Sequence, residues 1–264
     1  MKERADVLLV KKNLAPSREK AKTMIMAGEA FIGTERIAKA GQMIDTDAEL
    51  SVKGHSLKYV SRGGFKLEKI IENCGIDLTG KVCMDIGSST GGFTDCMLSH
   101  GAKKVYAVDV GYNQLAYSLR VDPRVVVMER TNVRYLDRED LDDAMDFISI
   151  DVSFISLELV LPKAVSYLSD NGKIATLIKP QFEAGKNKVG KGGIVSDPKV
   201  HVDVLNKMYE LVSGLGMYPE VLTYSPIQGA TGNTEFLMLM TKDADAAAEV
   251  DIEAVVRASG EEFR

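Results

Sequence analysis

The sequence is poor in the residues that build metal and disulfide sites. Its 264 residues include three cysteines, Cys74, Cys83 and Cys96, and three histidines. The odd cysteine number and the lack of a CxxC spacing argue against a disulfide framework and a zinc centre. The scattered histidines predict no metal site of any kind. Sparse cysteine beside twelve methionines suits a reducing cytoplasm. Long apolar runs are missing too: Val7–Val10 and Phe236–Met240 fall far short of the roughly 18 residues that cross a bilayer. No secretory leader follows Met1–Asp6, and no strongly amphipathic basic helix stands out, so a membrane-active role is disfavoured.

What remains is an ordinary globular composition, 45% hydrophobic and 27% charged. The net charge of −5 hides an asymmetry. Residues 1–66 hold 13 Lys/Arg against 8 Asp/Glu (+5), and the rest holds 20 against 30 (−10). A basic module on an acidic body suits a polyanion held at one end.

Residues 1–58 read as a small unit. A helix is expected over Arg4–Lys12 and a second one after Pro16, with Ser17 as its N-cap. Short strands follow at Ala30–Ile32, Ile37–Lys39 and Glu49–Val52. Arg18, Lys20 and Lys22 crowd the start of the second helix, where positive charge opposes the helix dipole. Phosphates would neutralise them, and Arg4 and Arg62 join Arg18, Lys20, Lys22 and Lys188 as candidate contacts to a polyanion. Residues 59–64 read as a linker with a hinge at Gly63–Gly64.

From 65 to 242 strands and helices alternate. Strands are expected at 81–85, 104–109, 124–128, 145–151, 173–178, 219–224 and 234–240, and helices at 92–99, 114–120, 157–168 and 201–214. Nearly continuous apolar strands predict a parallel sheet covered on both faces. The last two strands, with no helix between them, predict an antiparallel pair at one edge. Residues 243–264, with seven acidic and two basic residues, read as a loose acidic helix or frayed tail.

Asp85-Ile-Gly87 ends the first of these strands, and Ser88-Ser89-Thr-Gly91-Gly92-Phe93 turns into a helix. Such a turn lies beyond the strands' carboxyl ends, where doubly wound sheets bind ligands. Asp109, 22 residues after Gly87, is placed to hold two ribose hydroxyls. A dinucleotide would need glycine at position 89, where serine stands, which favours S-adenosylmethionine over a nicotinamide cofactor. Asn132 and Val133 follow the third strand and suit an adenine ring, although a turn-forming Asn explains the amide equally well. Asp85 and Asp151 are expected near the sulfonium.

Lys66, Asp151, Lys179 and Glu235 stand around strand ends, where unpaired charges are seldom buried. This Lys-Asp-Lys-Glu order resembles the catalytic tetrad of FtsJ-type ribose 2′-O-methyltransferases. The pattern Arg18-x-x-Ala21-x-x-Met24-x-x-x-Gly28 followed by Ala30-Phe-Ile32 resembles the S4 RNA-binding module. Together with Ser61-Arg-Gly-Gly-Phe-Lys-Leu67, Asp151-Val-Ser-Phe154, Lys179-Pro-Gln-Phe-Glu183, Gly192-Gly-Ile-Val195 and Gly229-Ala-Thr-Gly-Asn-Thr-Glu235, they identify the chain as a member of the TlyA (haemolysin A) family.

The resemblance implies a Rossmann-like class I methyltransferase with a seven-stranded, mostly parallel sheet and an antiparallel edge strand. A small α+β S4-like domain precedes it. It implies methylation of cytidine 2′-hydroxyls in ribosomal RNA or a ribosomal subunit, in the cytoplasm, by a chain that is monomeric when free. In some members a basic extension precedes the S4-like helix; here that helix is expected close to Met1. Lys179 would then take the hydroxyl proton or stabilise the alkoxide, oriented by Asp151, while Glu235 orients Lys66. The loop Glu183–Gly193, with Lys186, Lys188 and Lys191 among four glycines, would close over RNA phosphates.

Other classes carry weaker signals. The segment 151–154 lacks the N/D-P-P-Y/F of amino-methyltransferases, and Ser153 lacks a nucleophile elbow. A haemolysin-like membrane protein, an RNA-binding protein with a dead enzyme fold and an NAD-dependent dehydrogenase remain as alternatives.

Overall fold

The computed structural model describes residues 2–26, 28–52 and 58–263. Ala27, inside the Arg18–Gly28 pattern, and the Lys186 side chain lie outside the described residues. The chain divides into two compact units, 1–58 and 59–264.

The first unit contains β1 (Lys2–Arg4), α1 (Ala5–Lys11), α2 (Arg18–Met26), β2 (Ala30–Ile32), β3 (Glu35–Arg36), β4 (Met43–Asp45) and β5 (Leu50–Val52). β3, β2 and β5 form one antiparallel sheet, and β1 pairs with β4. Ser17 caps α2, its hydroxyl accepting from the Lys20 amide at 3.2 Å. Leu8, Leu9, Ala21, Ile25, Ala30 and Ile44 form the core. The strand expected at Ile37–Lys39 is instead the two-residue β3. Ile37 has turned into that core, its amide donating to Ala30 O at 2.8 Å.

The second unit contains α3 (Gly64–Asn73), β6 (Val82–Ile86), α4 (Gly92–Ser99), β7 (Lys104–Val108), α5 (Tyr117–Arg120), β8 (Val125–Met128), β9 (Met145–Ile150), α6 (Leu161–Tyr167), β10 (Leu168–Ile178), α7 (Pro180–Glu183), α8 (Pro198–Gly214), β11 (Tyr218–Tyr224), β12 (Phe236–Thr241) and α9 (Ile252–Glu262). Seven strands run in the order β11-β12-β10-β9-β6-β7-β8. β9, β6, β7 and β8 pair in parallel, as do β10 and β9. The antiparallel pair lies at the expected end of the sheet. β12, antiparallel to both neighbours, sits one place in from the edge, and β11 lies outside it. Met84, Ile148, Ile174 and Met238 are buried on one face of this sheet and Cys83, Phe147, Ala175 and Leu239 on the other, as helices on both sides require.

Two expectations need correction. Residues 59–64 do not form a free linker with a hinge. Tyr59 is 2% exposed within the second unit, the Val60 amide donates to Asp95 Oδ2 at 2.7 Å, and a β-carbon on Gly64 would meet the Tyr59 ring at 2.3 Å. The paired glycines allow close packing at the start of α3, a helix absent from the elements expected above. Residues 243–264 do contain the acidic helix that was one of the two expectations, but it is docked, neither loose nor a frayed tail. Asp251 caps α9 by accepting from the Ala254 amide at 2.9 Å, and Val256 is buried against the main core. The apolar face of α9 covers α8 and β11, and its acidic residues point outward.

Candidate active site

The parallel strands end on a crevice with two lobes. The larger, about 330 Å3, is lined by Gly87, Ser89, Asp109, Asn132, Val133 and Asp151, among others. The smaller, about 120 Å3, is lined by Ser61, Gly63, Gly87, Ser88, Ser89, Gly92, Phe93 and Asp151. Gly87 has φ +84°, and a β-carbon there would lie 2.4 Å from the Asp151 carbonyl oxygen. The ends of β6 and β9 can therefore approach only across a glycine. Ser89 also takes a left-handed backbone, φ +47°, unusual for a residue with a side chain. Its amide donates to Asp109 Oδ2 at 2.8 Å and the Gly111 amide to Oδ1 at 2.7 Å. Asp109 is thereby fixed at the crevice wall, each oxygen keeping a lone pair. Asn132 lines the crevice, and its Oδ1 accepts from the Arg134 amide at 3.1 Å as a turn-forming Asn does.

Two of the expected cofactor residues lie elsewhere. Asp85 points away from the crevice, under α4, where Oδ2 accepts from the Thr94 amide and hydroxyl at 2.9 and 2.7 Å and Oδ1 from Ser149 at 3.1 Å. Full burial pushes its carboxyl up to about 7, against the opposing effect of those hydrogen bonds. Gly91 packs against Leu115 and Leu119 and lines neither lobe.

A third cavity, about 510 Å3, adjoins the crevice at Ser153 and Phe154. Lys66, Lys179 and Glu235 line it, with Arg62, Gln181 and Phe182. Lys66 Nζ lies 2.6 Å from Glu235 Oε2 and 3.8 Å from Asp151 Oδ2. Lys179 Nζ lies 2.6 Å from Asp151 Oδ1 and 2.9 Å from Ser153 Oγ. All four side chains are largely buried, so two positive and two negative charges neutralise one another in a poorly hydrated site.

Several residues at or near the site were not among the candidates singled out from the sequence. Phe154 is 91% exposed with φ +63°, and its ring centroid lies 5.0 Å from that of Phe182. Gln181 Oε1 is buried with no hydrogen-bond partner among the described residues. Arg130 and Arg134 lie over the exposed rings of Tyr112 and Tyr135, at 4.0 and 5.4 Å from their centroids. A large exposed aromatic beside a strand end is the cue that could have found Phe154.

The expected RNA contacts are partly committed. In the first unit Arg4 and Arg18 both reach the buried Asp6, each at 3.0 Å, and hold its carboxyl down at about 2, with the Arg4 hydrogen bond the largest cause. Lys22 pairs with Glu19 at 2.8 Å, whereas exposed Lys20 has no carboxylate partner among the described residues. In the second unit Arg62 is exposed at the third cavity, and Lys188 pairs with Asp203 at 2.6 Å. Cys74, Cys83 and Cys96 form no disulfide with one another. His100 is closer to other ligand types than its sequence position suggests: Glu68, Glu72 and His100 bring ligand atoms within 4.8 Å of one another. Both glutamates have other partners, Glu68 accepting from Tyr59 Oη at 2.6 Å. Among the described residues no helix is long and apolar enough to cross a membrane.

The description of FtsJ-like methyltransferases matches residues 59–242. Over 238 residues the chain is 55% identical to YqxC of Bacillus subtilis, a candidate rRNA methyltransferase, which covers 90% of this chain and 85% of that one. It is 43% identical over 245 residues to the 16S/23S rRNA (cytidine-2′-O)-methyltransferase TlyA of Mycobacterium tuberculosis, covering 92% and 91% of the two chains. The solved structure of a haemolysin candidate from Streptococcus thermophilus matches with a TM-score of 0.78 and 46% identity, over 99% of this chain and 97% of that one. With its paired Lys-Asp-Lys-Glu cluster beside a glycine-lined crevice, this chain belongs to the FtsJ-like methyltransferase family, among the homologues named TlyA or haemolysin A.

Proposed function

We propose that the protein transfers a methyl group from S-adenosylmethionine to the 2′-hydroxyl of a cytidine in ribosomal RNA. The observation that carries this reading is the pairing of Lys66 with Glu235 and of Lys179 with Asp151, both at 2.6 Å, next to the crevice. The relatives' names supply the substrate class.

The crevice suits the cofactor. Its larger lobe falls in the size range of small-molecule sites. Asp109 retains lone pairs for a vicinal diol, and the apolar Val133 and the Asn132 amide suit an adenine ring. Bound there, S-adenosylmethionine supplies a methyl group made electrophilic by its sulfonium charge. Asp151 lines both lobes and favours that charge.

The chain's own task is to place and deprotonate the hydroxyl. Lys179 Nζ, held by Asp151 and Ser153, receives the proton in its neutral form or stabilises the alkoxide in its charged form. Glu235 fixes Lys66 at the opposite wall of the cavity. Phe154 and Phe182 offer aromatic faces to a base turned out of its helix, and the unpartnered Gln181 Oε1 suits an amino group on that base, such as the N4 amine of cytosine. Lys20 and the arginine–tyrosine stacks supply cationic and aromatic surface for the surrounding RNA.

The test is to incubate the protein with labelled S-adenosylmethionine and ribosomal subunits, and to map ribose methylation. Labelled cytidine 2′-O-methyl groups are expected with the wild type and not with Lys179→Ala. Label on a base, or on no RNA at all, overturns the reading.

A further inference from the structure

Asn233 lies two residues before Glu235, is 1% exposed, and touches neither the crevice nor Lys66, Asp151 or Lys179. Its side chain makes three hydrogen bonds, two to one distant segment and one to a neighbour. Oδ1 accepts from the Val195 amide at 2.9 Å. Nδ2 donates to Gly193 O at 2.9 Å and to Thr231 Oγ1 at 3.0 Å. A single amide supplies both the acceptor and the donors this requires, which neither Asp nor Leu of similar size can do.

A second buried side chain grips the same place. His201, on α8, meets Val195 O through Nε2 at 2.9 Å. Val195 is therefore held at its amide by Asn233 and at its carbonyl by His201. The chain just before it folds back on itself, the Gly190 amide donating to Ile194 O at 2.8 Å. Gly192 and Gly193 have φ +77° and +78° with nothing near a would-be β-carbon, so they are shaped for the turn and not crowded into it. The C-terminal end of the loop after α7 thus hangs from Asn233 and His201, with the exposed Lys188–Asp203 pair tying its middle to α8. Its residues Gly185, Val189, Gly190 and Gly193 line a cavity of about 540 Å3 together with Phe154, Gln181 and Phe182. Those last three also line the cavity that contains Lys179 and Glu235.

We infer that Asn233 is a positioning residue for the RNA substrate. By latching Gly193–Val195 to the segment that carries Glu235, it holds the lysine-bearing loop as a wall of the cavity that adjoins, through Phe154, Gln181 and Phe182, the one containing Lys179 and Glu235. His201 is the second anchor of the same latch. The inference rests on the RNA-methylation reading for its substrate, but the latch itself is a property of the loop.

Asn233→Asp tests it. The variant keeps the acceptor for the Val195 amide and replaces the donor to Gly193 O with a repelling oxygen. His201→Phe removes the second anchor without touching the Glu235 segment. In each variant, trypsin cleavage after Lys188 and Lys191 should speed up, and KM for ribosomal RNA should rise about tenfold. The kcat at saturating RNA and the calorimetric affinity for S-adenosylmethionine should stay within about threefold of wild type. A fall in kcat at unchanged KM overturns the inference, because Asn233 would then act on the chemical step through Glu235. Unchanged loop cleavage in both variants overturns it as well. If the wild type methylates no RNA, the functional reading fails separately, and the cleavage rates still decide whether the latch exists. Should Asn233→Asp fail to fold, His201→Phe carries the same two readouts.

Discussion

Asp151 Oδ1 lies 2.6 Å from Lys179 Nζ, and Asp151 also lines both lobes of the glycine-bounded crevice. One carboxylate thereby joins the crevice to the cavity lined by Lys66, Lys179 and Glu235. Lys179 lines only that second cavity and neither lobe of the crevice.

That asymmetry separates two variants. Lys179→Ala should lower turnover by about 10²–10⁴-fold and leave affinity for S-adenosylmethionine nearly intact. Asp151→Asn should weaken both. Methyl incorporation into ribosomal RNA, set beside calorimetric titration of the cofactor, distinguishes them. Normal turnover by Lys179→Ala removes the lysine from the mechanism.

Gly87→Ala should damage fold and cofactor site together. Its β-carbon would press on the Asp151 carbonyl from a left-handed backbone position. A loss of about 1–3 kcal/mol is expected, with a weaker cofactor titration. Gly192→Ala is the control: the backbone is similarly left-handed but the space is open, so a smaller loss is expected. Equal melting shifts for the two would show that crowding at Asp151 is unimportant.

Asp85 predicts a pH signature. Its folded carboxyl titrates at about 7, above its ordinary value of 3.8. The fold therefore prefers the protonated form. Its contribution is fully present below about pH 4 and is lost as pH rises through 7, a change on the order of 4 kcal/mol. Asp85→Asn mimics the protonated group. Its stability relative to wild type should grow from pH 4 to 7 and level off above, as read by urea unfolding at each pH. A flat difference would mean that Asp85 stays ionised when folded.

Val256→Asp should cost about 3 kcal/mol, because it places a carboxylate against the main core without a partner. Glu261→Ala, on the exposed side of α9, should cost almost nothing. Denaturant unfolding of both variants tests whether the C-terminal helix is docked. Equal midpoints would mean that it is not.

The strand and helix order of the second unit was legible because it is local. The runs Val82–Ile86, Val125–Met128 and Phe236–Met240 are apolar and short, and the Gly87–Gly92 turn interrupts the pattern where a strand must give way to a helix. α3 was missed because Gly63–Gly64 reads as a break when the Tyr59 ring packed on it is not in view. α9 reads as loose in sequence because its acidic residues stand out, whereas Val256 is buried in the core and Ile252 and Val255 pack against it.

The sequence by itself determined which residue types stand at strand ends, and so the candidates Asp85, Asp109, Asp151, Lys179 and Glu235. Only the tertiary structure decided which of them share a site. Lys66 and Glu235 are separated by 169 positions, yet they meet at 2.6 Å because α3 packs beside β12. Asp85 and Asp151 look alike as acids closing apolar strands. Asp85 lies inside β6, paired with Ala107 and Ser149, and alternation along the strand turns it under α4. Asp151 lies just past β9 and opens onto the crevice. A side chain's direction depends on where the strand stops and on what covers it, and both are set by packing across the sheet.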